Sequence, residues 1–256
     1  MKSLSYFERL WYYMDQYWED IGDPRVNHWP LIRGGIWRIL ALMCAYVFIT
    51  RVYLPYFMQN RKEFKLKKLM LFYNIVMICA NVYAFYWSVI SVDRGRIFLD
   101  FSYPSRKDMS DNTLWFLYLG WYFMLSRLLD LFDTVFIVLR KKDSQITSLH
   151  LYHHTVVPLL CWVSFKYNAM IPIIRMFVLL NSAIHTLMYS YYALAAFGPA
   201  VRPYLWWKRY LTLFQIMQFV ICGSYGCLLY YKQTDYPMDW FYFVVGQNPL
   251  FFLICF

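Results

Sequence analysis

The chain has 256 residues, of which 61% are hydrophobic and 16% charged, against roughly 45–50% and about 25% in soluble domains; a water-soluble globule is excluded and the bilayer is the expected solvent. The formal charge of +10 does not mark a nucleic-acid binder, because the basic residues stand in short clusters between apolar segments and not along one soluble face. All six cysteines, Cys44, Cys79, Cys161, Cys222, Cys227 and Cys255, fall in apolar stretches without the spacing of a metal knot or a disulfide framework, and read as small hydrophobes.

In chain order, Glu8, Asp15, Glu19, Asp20 and Asp23 interrupt the first thirty residues, so no cleavable signal peptide is expected and the first span serves as the targeting signal. A helix needs about 20 mostly apolar residues to cross roughly 30 Å of hydrocarbon. That ruler predicts spans near 37–58, 69–92, 113–139, 148–166, 170–196, 209–231 and 237–256, an all-α integral membrane protein. The loops are short and no Gly/Ser linker or low-complexity run divides the chain, so residues 1–256 form a single transmembrane domain.

Loop lysine and arginine mark the cytosolic side. Arg61, Lys62, Lys65, Lys67 and Lys68 follow the first span, Arg140, Lys141 and Lys142 follow the third, and Arg202, Lys208 and Arg209 flank the start of the sixth. The N-terminus is therefore expected in the lumen and the C-terminus in the cytosol.

Ionisable groups inside a span cost several kcal/mol on insertion scales and are functional candidates by default. The third span carries Arg127, Asp130, Asp133 and Thr134, which steps of three and four place on one face. The fourth opens on Gln145-Ile146-Thr147-Ser148-Leu149-His150-Leu151-Tyr152-His153-His154, and the i, i+3, i+4 spacing gathers three imidazoles. In the fifth, Asn181, His185, Met188 and Tyr192 fall on one stripe; in the sixth, Thr212, Gln215 and Gln218 recur every third residue.

In this order the four segments resemble the signatures of the very-long-chain fatty acid elongases: Lys-x-x-Glu-x-x-Asp-Thr, Gln-x-x-Phe-Leu-His-x-x-His-His, Asn-x-x-x-His-x-x-Met-Tyr-x-Tyr-Tyr and Thr-x-x-Gln-x-x-Gln. Arg127 stands for the family's lysine, Asp130 for its glutamate, and Ser148 for the aromatic usual before Leu149-His150. The resemblance implies about seven helices forming a bundle or barrel around an acyl-chain tunnel in the endoplasmic reticulum membrane. It also implies an acyltransferase, a 3-oxoacyl-CoA synthase that condenses acyl-CoA with malonyl-CoA in the first step of very-long-chain fatty acid elongation. No cofactor or metal is expected beyond the two CoA substrates. The partners implied are membrane lipid, the reductases and dehydratase of the elongation cycle, and a second copy of the chain, with no nucleic acid.

Two other classes were weighed. His-x-x-His-His is also a histidine box of membrane di-iron desaturases, but those draw on roughly eight histidines and this chain has five. A polar-lined transporter would favour helices broken by paired glycines or prolines. Without a cysteine in the polar clusters, imidazole is the strong neutral nucleophile available. Helical geometry leaves His150, His153 and His154 on one face, and the resemblance implies His153 as the nucleophile, with His185 across the tunnel, through an acyl-histidine intermediate; the alternative is direct condensation with both thioesters bound together. Asn181, Gln215, Gln218 and Tyr192 are candidate oxyanion donors, His150 and His154 proton carriers or orienters, and Arg127, Asp130 and Asp133 their support. Arg140, Lys141, Lys142, Lys208 and Arg209 are expected to hold the CoA phosphates.

Overall fold

A computed structural model describes residues 5–232, so the seventh predicted span, 237–256, lies outside the described residues. Those residues form helices and connecting turns, with no strand among them. Two short helices, α1 (Tyr6–Met14) and α2 (Gln16–Ile21), come first. Ser5 caps α1 by accepting from the Glu8 N–H while the Glu8 side chain accepts from the Ser5 N–H.

The first long rod runs through α3 (Trp37–Phe48), a widened π turn (Ile49–Tyr53) and α4 (Leu54–Met58). Pro55 accounts for the irregularity: proline has no N–H to return to the carbonyl of Arg51 four residues earlier, and the ladder opens there. Then come α5 (Lys67–Ser91), α6 (Asp111–Leu129), α7 (Leu131–Leu139), α8 (Ser148–Asn168), α9 (Pro172–Ala195) and α10 (Lys208–Lys232). Thr147 caps α8 by accepting from the His150 N–H at 3.1 Å, and Pro172 opens α9, where its missing donor costs nothing.

Six of the predicted spans thus coincide with helical rods, within a few residues at each end. Four segments are long and apolar enough to cross a bilayer by length and composition: Trp37–Met58, Lys67–Ser91, Pro172–Ala195 and Pro203–Lys232. Two of the rods carrying polar clusters, α6 with α7 and α8, are not among them, because ionisable and imidazole groups replace apolar ones there, whereas α9 and α10 keep enough apolar length. The rod predicted at 113–139 also has an irregular step at Asp130, which separates α6 from α7.

Helices α5 and α9 lie side by side in opposite directions, with the Tyr73 hydroxyl 3.3 Å from that of Tyr189 and Arg175 Nη1 donating to the Ser91 carbonyl at 3.0 Å. The loops rich in lysine and arginine therefore share one end of the bundle. There the Phe64 N–H donates to the Leu139 carbonyl at 3.0 Å and Lys141 Nζ reaches the Gln59 carbonyl at 3.5 Å.

At the other end the segment from Asp15 to Ile36 straps across the helices. Lys166 of α8, with no exposed surface, donates to Glu19 Oε1 at 2.9 Å and to the carbonyls of Ile32 and Gly34. Arg25 forks onto Asp23 and reaches Asn168 Oδ1, and the Trp162 indole donates to the Leu31 carbonyl at 2.7 Å. A Cβ at Gly35 would stand 2.0 Å from the Met14 carbonyl oxygen, so only glycine lets the strap close there. The core beneath it is built on Ile32, Leu117, Met124, Trp162, Val163 and Ile171. Outward, α3, α5 and α10 present Phe48, Val52, Phe72, Val89, Met217 and Val220 exposed, as helices solvated by lipid do.

Candidate active site

Three of the four polar segments meet in the half of the bundle nearer the basic loops. At their centre is Arg127 of α6, 1% exposed. Its Nη1 donates to Asn181 Oδ1 at 2.9 Å and to His185 Nδ1 at 2.6 Å, and its Nη2 donates to Asn81 Oδ1 at 2.7 Å. The Asp130 carboxylate lies 3.2 Å from Nη1, and the Phe123 ring covers the guanidinium at 4.8 Å. A buried guanidinium is tolerated only when its donors are used, and here they are.

Arginine has no lone pair to offer, so its partners must accept. The two asparagines turn Oδ1 toward Arg127. His185 Nδ1 must be the bare nitrogen, which leaves the ring proton on Nε2, facing away from the arginine.

Asp130 and Asp133 share a second hub. The Tyr189 hydroxyl lies 2.8 Å from Asp130 Oδ1 and 2.8 Å from Asp133 Oδ2, so one phenolic proton serves two carboxyl groups. Tyr73 of α5 stands behind it and donates to the Leu129 carbonyl at 3.1 Å. The third arm points the other way along α7: Thr134 Oγ1 lies 2.6 Å from the Tyr46 hydroxyl and 2.8 Å from His150 Nε2.

The histidines of α8 are half-buried. The His150 and His154 rings are 4.3 Å apart and those of His153 and His154 5.5 Å, and His185 lies within electrostatic reach of His153 and His154. The i, i+3, i+4 geometry thus gathers the imidazoles beside α9. Among the described residues, no three His, Cys, Asp or Glu side chains are arranged to hold a metal ion.

The glutamines of α10 diverge. Gln218 is buried with its Nε2 unpartnered among the described residues, whereas Gln215 is only partly covered. A buried donor without an acceptor costs about 1–3 kcal/mol, so the Gln218 amide calls for a partner other than the described residues. Tyr192, grouped by ideal helical spacing with Asn181 and His185, is 42% exposed and meets Tyr189 only ring to ring at 6.0 Å. The phenol that joins the polar cluster is Tyr189, because successive steps of four along α9 carry the buried stripe from Asn181 through His185 to Tyr189 as the helix packs on α5.

The proposed CoA ligands all lie at the basic end. Arg140 Nη1 points at Met70 Sδ, 3.4 Å away, Lys141 reaches back to α4, and Lys142 is exposed. Lys208 covers the Tyr191 ring and Arg209 those of Trp206 and Tyr210.

Away from that end, the polar cluster gives way to an apolar cavity of about 150 Å³. Each polar helix contributes wall residues one turn from its own cluster: Phe123 and Met124 before Arg127, Val157 after His153, Val178 before Asn181, and Cys222 after Gln218. Farther along, Ser164 and Gly120 line it and Arg175 stands near its far end, where its guanidinium also meets Phe116.

Sequence reasoning missed Asn81, Tyr73, Tyr46 and Tyr189. A signal existed for Asn81, since an asparagine inside an otherwise apolar span has the same need for a partner that singled out Asn181. Tyr189 is the tyrosine that follows Met188 in the third signature, whereas for Tyr73 and Tyr46 there was no signal, because in a chain with 25 tyrosines a buried phenol looks like any interfacial one.

Comparison with known proteins places the chain in a family. The model of the ELO (GNS1/SUR4) family matches residues 32–256. The chain is 36% identical over 245 residues to very long chain fatty acid elongase 7 of Rattus norvegicus, covering 93% of this chain and 84% of that one. It is 34% identical over 256 residues to a very long chain fatty acid elongase of Aedes aegypti, covering 99% and 69%. Elongase 1 of Mus musculus is 34% identical over 232 residues, covering 84% and 77%. With a family match over most of its length, and relatives above 30% identity that it covers by more than two thirds, the chain belongs to the ELO family.

Proposed function

We propose that this protein is a very-long-chain fatty acid elongase that joins an acyl-CoA to malonyl-CoA, releasing carbon dioxide and CoA, to give a 3-oxoacyl-CoA two carbons longer. The observation that carries this reading is the junction of polar cluster and apolar cavity, with wall residues from each polar helix. An acyl chain laid in that cavity gains about 0.8 kcal/mol per buried methylene and brings its thioester to the histidines. The bundle then encloses an acyl tunnel.

In the proposed mechanism a ring nitrogen of His153 attacks the thioester carbonyl. The C–S bond breaks, CoA leaves as the thiolate, and the ring gives its N–H proton to His150 or His154, which passes it to the departing sulfur. Malonyl-CoA then loses carbon dioxide, the C–C bonding pair becomes an enolate, and the enolate carbon takes the acyl group and releases the imidazole as its anion, which regains its proton from water through His150 or His154. Two negatively charged oxygens develop, on the acyl carbonyl and on the enolate, and donors aimed at them lower both barriers. Gln218 Nε2 is one such donor. Asn181, its oxygen held by Arg127, has Nδ2 to offer, and His185 serves through its Nε2–H. His185 therefore acts as a donor in this scheme and His153 as the nucleophile.

Arg140, Lys141, Lys142, Lys208 and Arg209 are assigned to the CoA phosphates. This assignment puts the basic end in the cytosol, where CoA esters are found, and the strapped end with the N-terminus in the lumen of the endoplasmic reticulum. The reductases and dehydratase that process the 3-oxoacyl product are the expected partners, and a second copy of the chain is compatible with the exposed apolar faces. Mass spectrometry of protein incubated with acyl-CoA alone tests the covalent step. An acyl adduct on the peptide containing His153, with one equivalent of CoA released, is expected; an active enzyme without an adduct on His153 or His185 would establish direct condensation instead.

A further inference from the structure

Arg51 sits in the π turn of the first long rod, seven residues before Met58 and therefore about 10 Å from the end of the helix at 1.5 Å per residue. It is exposed and makes no hydrogen bond, ion pair or ring contact among the described residues. The arginines and lysines covered inside the bundle do have partners: Arg25, Arg127 and Lys166 are held by several groups each, and Arg175 by Ser91 and the Phe116 ring. A cation left alone inside a span calls for an anion, and its long stem lets the charge rise toward the head groups.

Arg51 opens onto a groove of about 360 Å³ between α3 and the first turns of α8, lined with Val47, Thr147, Ser148, Tyr152 and Thr155. None of the four clustered histidines lines it. They occupy another face of α8, so the groove lies outside the catalytic cluster and opens between two helices with apolar exteriors. Ser148 is decisive for the space. The signature that this chain otherwise matches has an aromatic residue there, and a ring at 148 would take up room in the groove.

We propose that this groove binds the phosphate of an anionic glycerophospholipid. Arg51 supplies the charge, Ser148 a hydroxyl donor, and the acyl chains lie along the exposed apolar side of α3 near Phe48 and Val52. The membrane is the source favoured over soluble phosphate esters, because an occupant entering from the bilayer can satisfy the cation and cover the apolar residues around it at once. The site does not depend on the chemistry assigned to the histidines.

Native mass spectrometry of the full chain in detergent tests the proposal, with phosphatidate, the diacylglycerol of the same chains, glycerol phosphate and CoA as probes. One phosphatidate is expected to remain bound at concentrations where diacylglycerol and glycerol phosphate do not. Arg51→Gln should weaken it at least tenfold, and Ser148→Phe should weaken it similarly with no change in charge. Lys62→Gln, on the exposed loop after α4, should leave it unchanged. The proposal is overturned if Arg51→Gln and Ser148→Phe both bind phosphatidate as the parent does, if Lys62→Gln loses as much as Arg51→Gln, or if CoA or glycerol phosphate displaces the lipid at equal concentration. Since the readout is binding, these results stand apart from any failure of the elongase assay.

Discussion

Replacing Arg127 with lysine keeps the charge and tests whether the site depends on the shape of the guanidinium. The fork spreads its donors over Asn181 Oδ1, His185 Nδ1 and Asn81 Oδ1 at 2.6–2.9 Å, with Asp130 at 3.2 Å. An ammonium has three donors on one atom. If it keeps Asp130 and two others, one buried acceptor is orphaned at about 1–3 kcal/mol. For a chain of this size that lowers the melting temperature by about 2–12 °C. If the orphan is His185 Nδ1, its ring proton is no longer fixed on Nε2 and kcat falls by about 5- to 150-fold. The measurements are melting in detergent and malonyl-CoA-dependent condensation by Arg127→Lys, by Asn81→Leu and by the double variant. Because Asn81 is matched to the fork, its removal should cost less beside lysine than beside arginine, with a coupling of about 0.5–3 kcal/mol. Parental kcat and melting for Arg127→Lys, with additive effects in the double variant, would refute the reasoning.

Ser164→Phe, in the middle of the cavity wall, should shorten the longest acyl product while the shortest substrates react at near the parental rate; gas chromatography of the products checks this, and an unchanged product distribution removes the cavity from the acyl path. Lys141→Glu reverses a charge at the basic end and should raise the KM for acyl-CoA or malonyl-CoA severalfold with kcat little changed. Parental KM values for both would reduce Lys141 to a topology signal. Tyr189→Phe leaves Asp130 and Asp133 without their shared proton donor, and should cut kcat about tenfold or more, whereas Tyr73→Phe, one step removed, should cost less in the same assay.

Six rods could be located from apolar length, because lipid imposes that length directly. The break at Asp130 could not, since it leaves no mark on hydropathy. The polar site was legible where identity carries the information: three histidines at i, i+3, i+4 must cluster on any helix, and Arg127 near Asp130 must pair. Orientation was less legible. Ideal spacing grouped Tyr192 with His185, but packing against α5 turned Tyr189 inward. It also gave Gln215 and Gln218 equal weight, while the fold buries the amide of Gln218 alone. Asn81 and Tyr46 come from helices without a recognised motif, and only tertiary contact reveals them.

The strap over Lys166 also has a meaning for biosynthesis. Glu19 and the carbonyls of Ile32 and Gly34 precede Lys166 in the chain by 147, 134 and 132 positions. At roughly 5–20 residues per second, they are made on the order of ten seconds before the lysine emerges. The receptor for the ammonium is synthesised first, and α8 can settle against it without a prolonged stay of a bare charge in the bilayer. A leader or tag that delays delivery of residues 19–34 should therefore be felt as poor integration of α8, more than a hundred residues downstream, with every catalytic side chain intact.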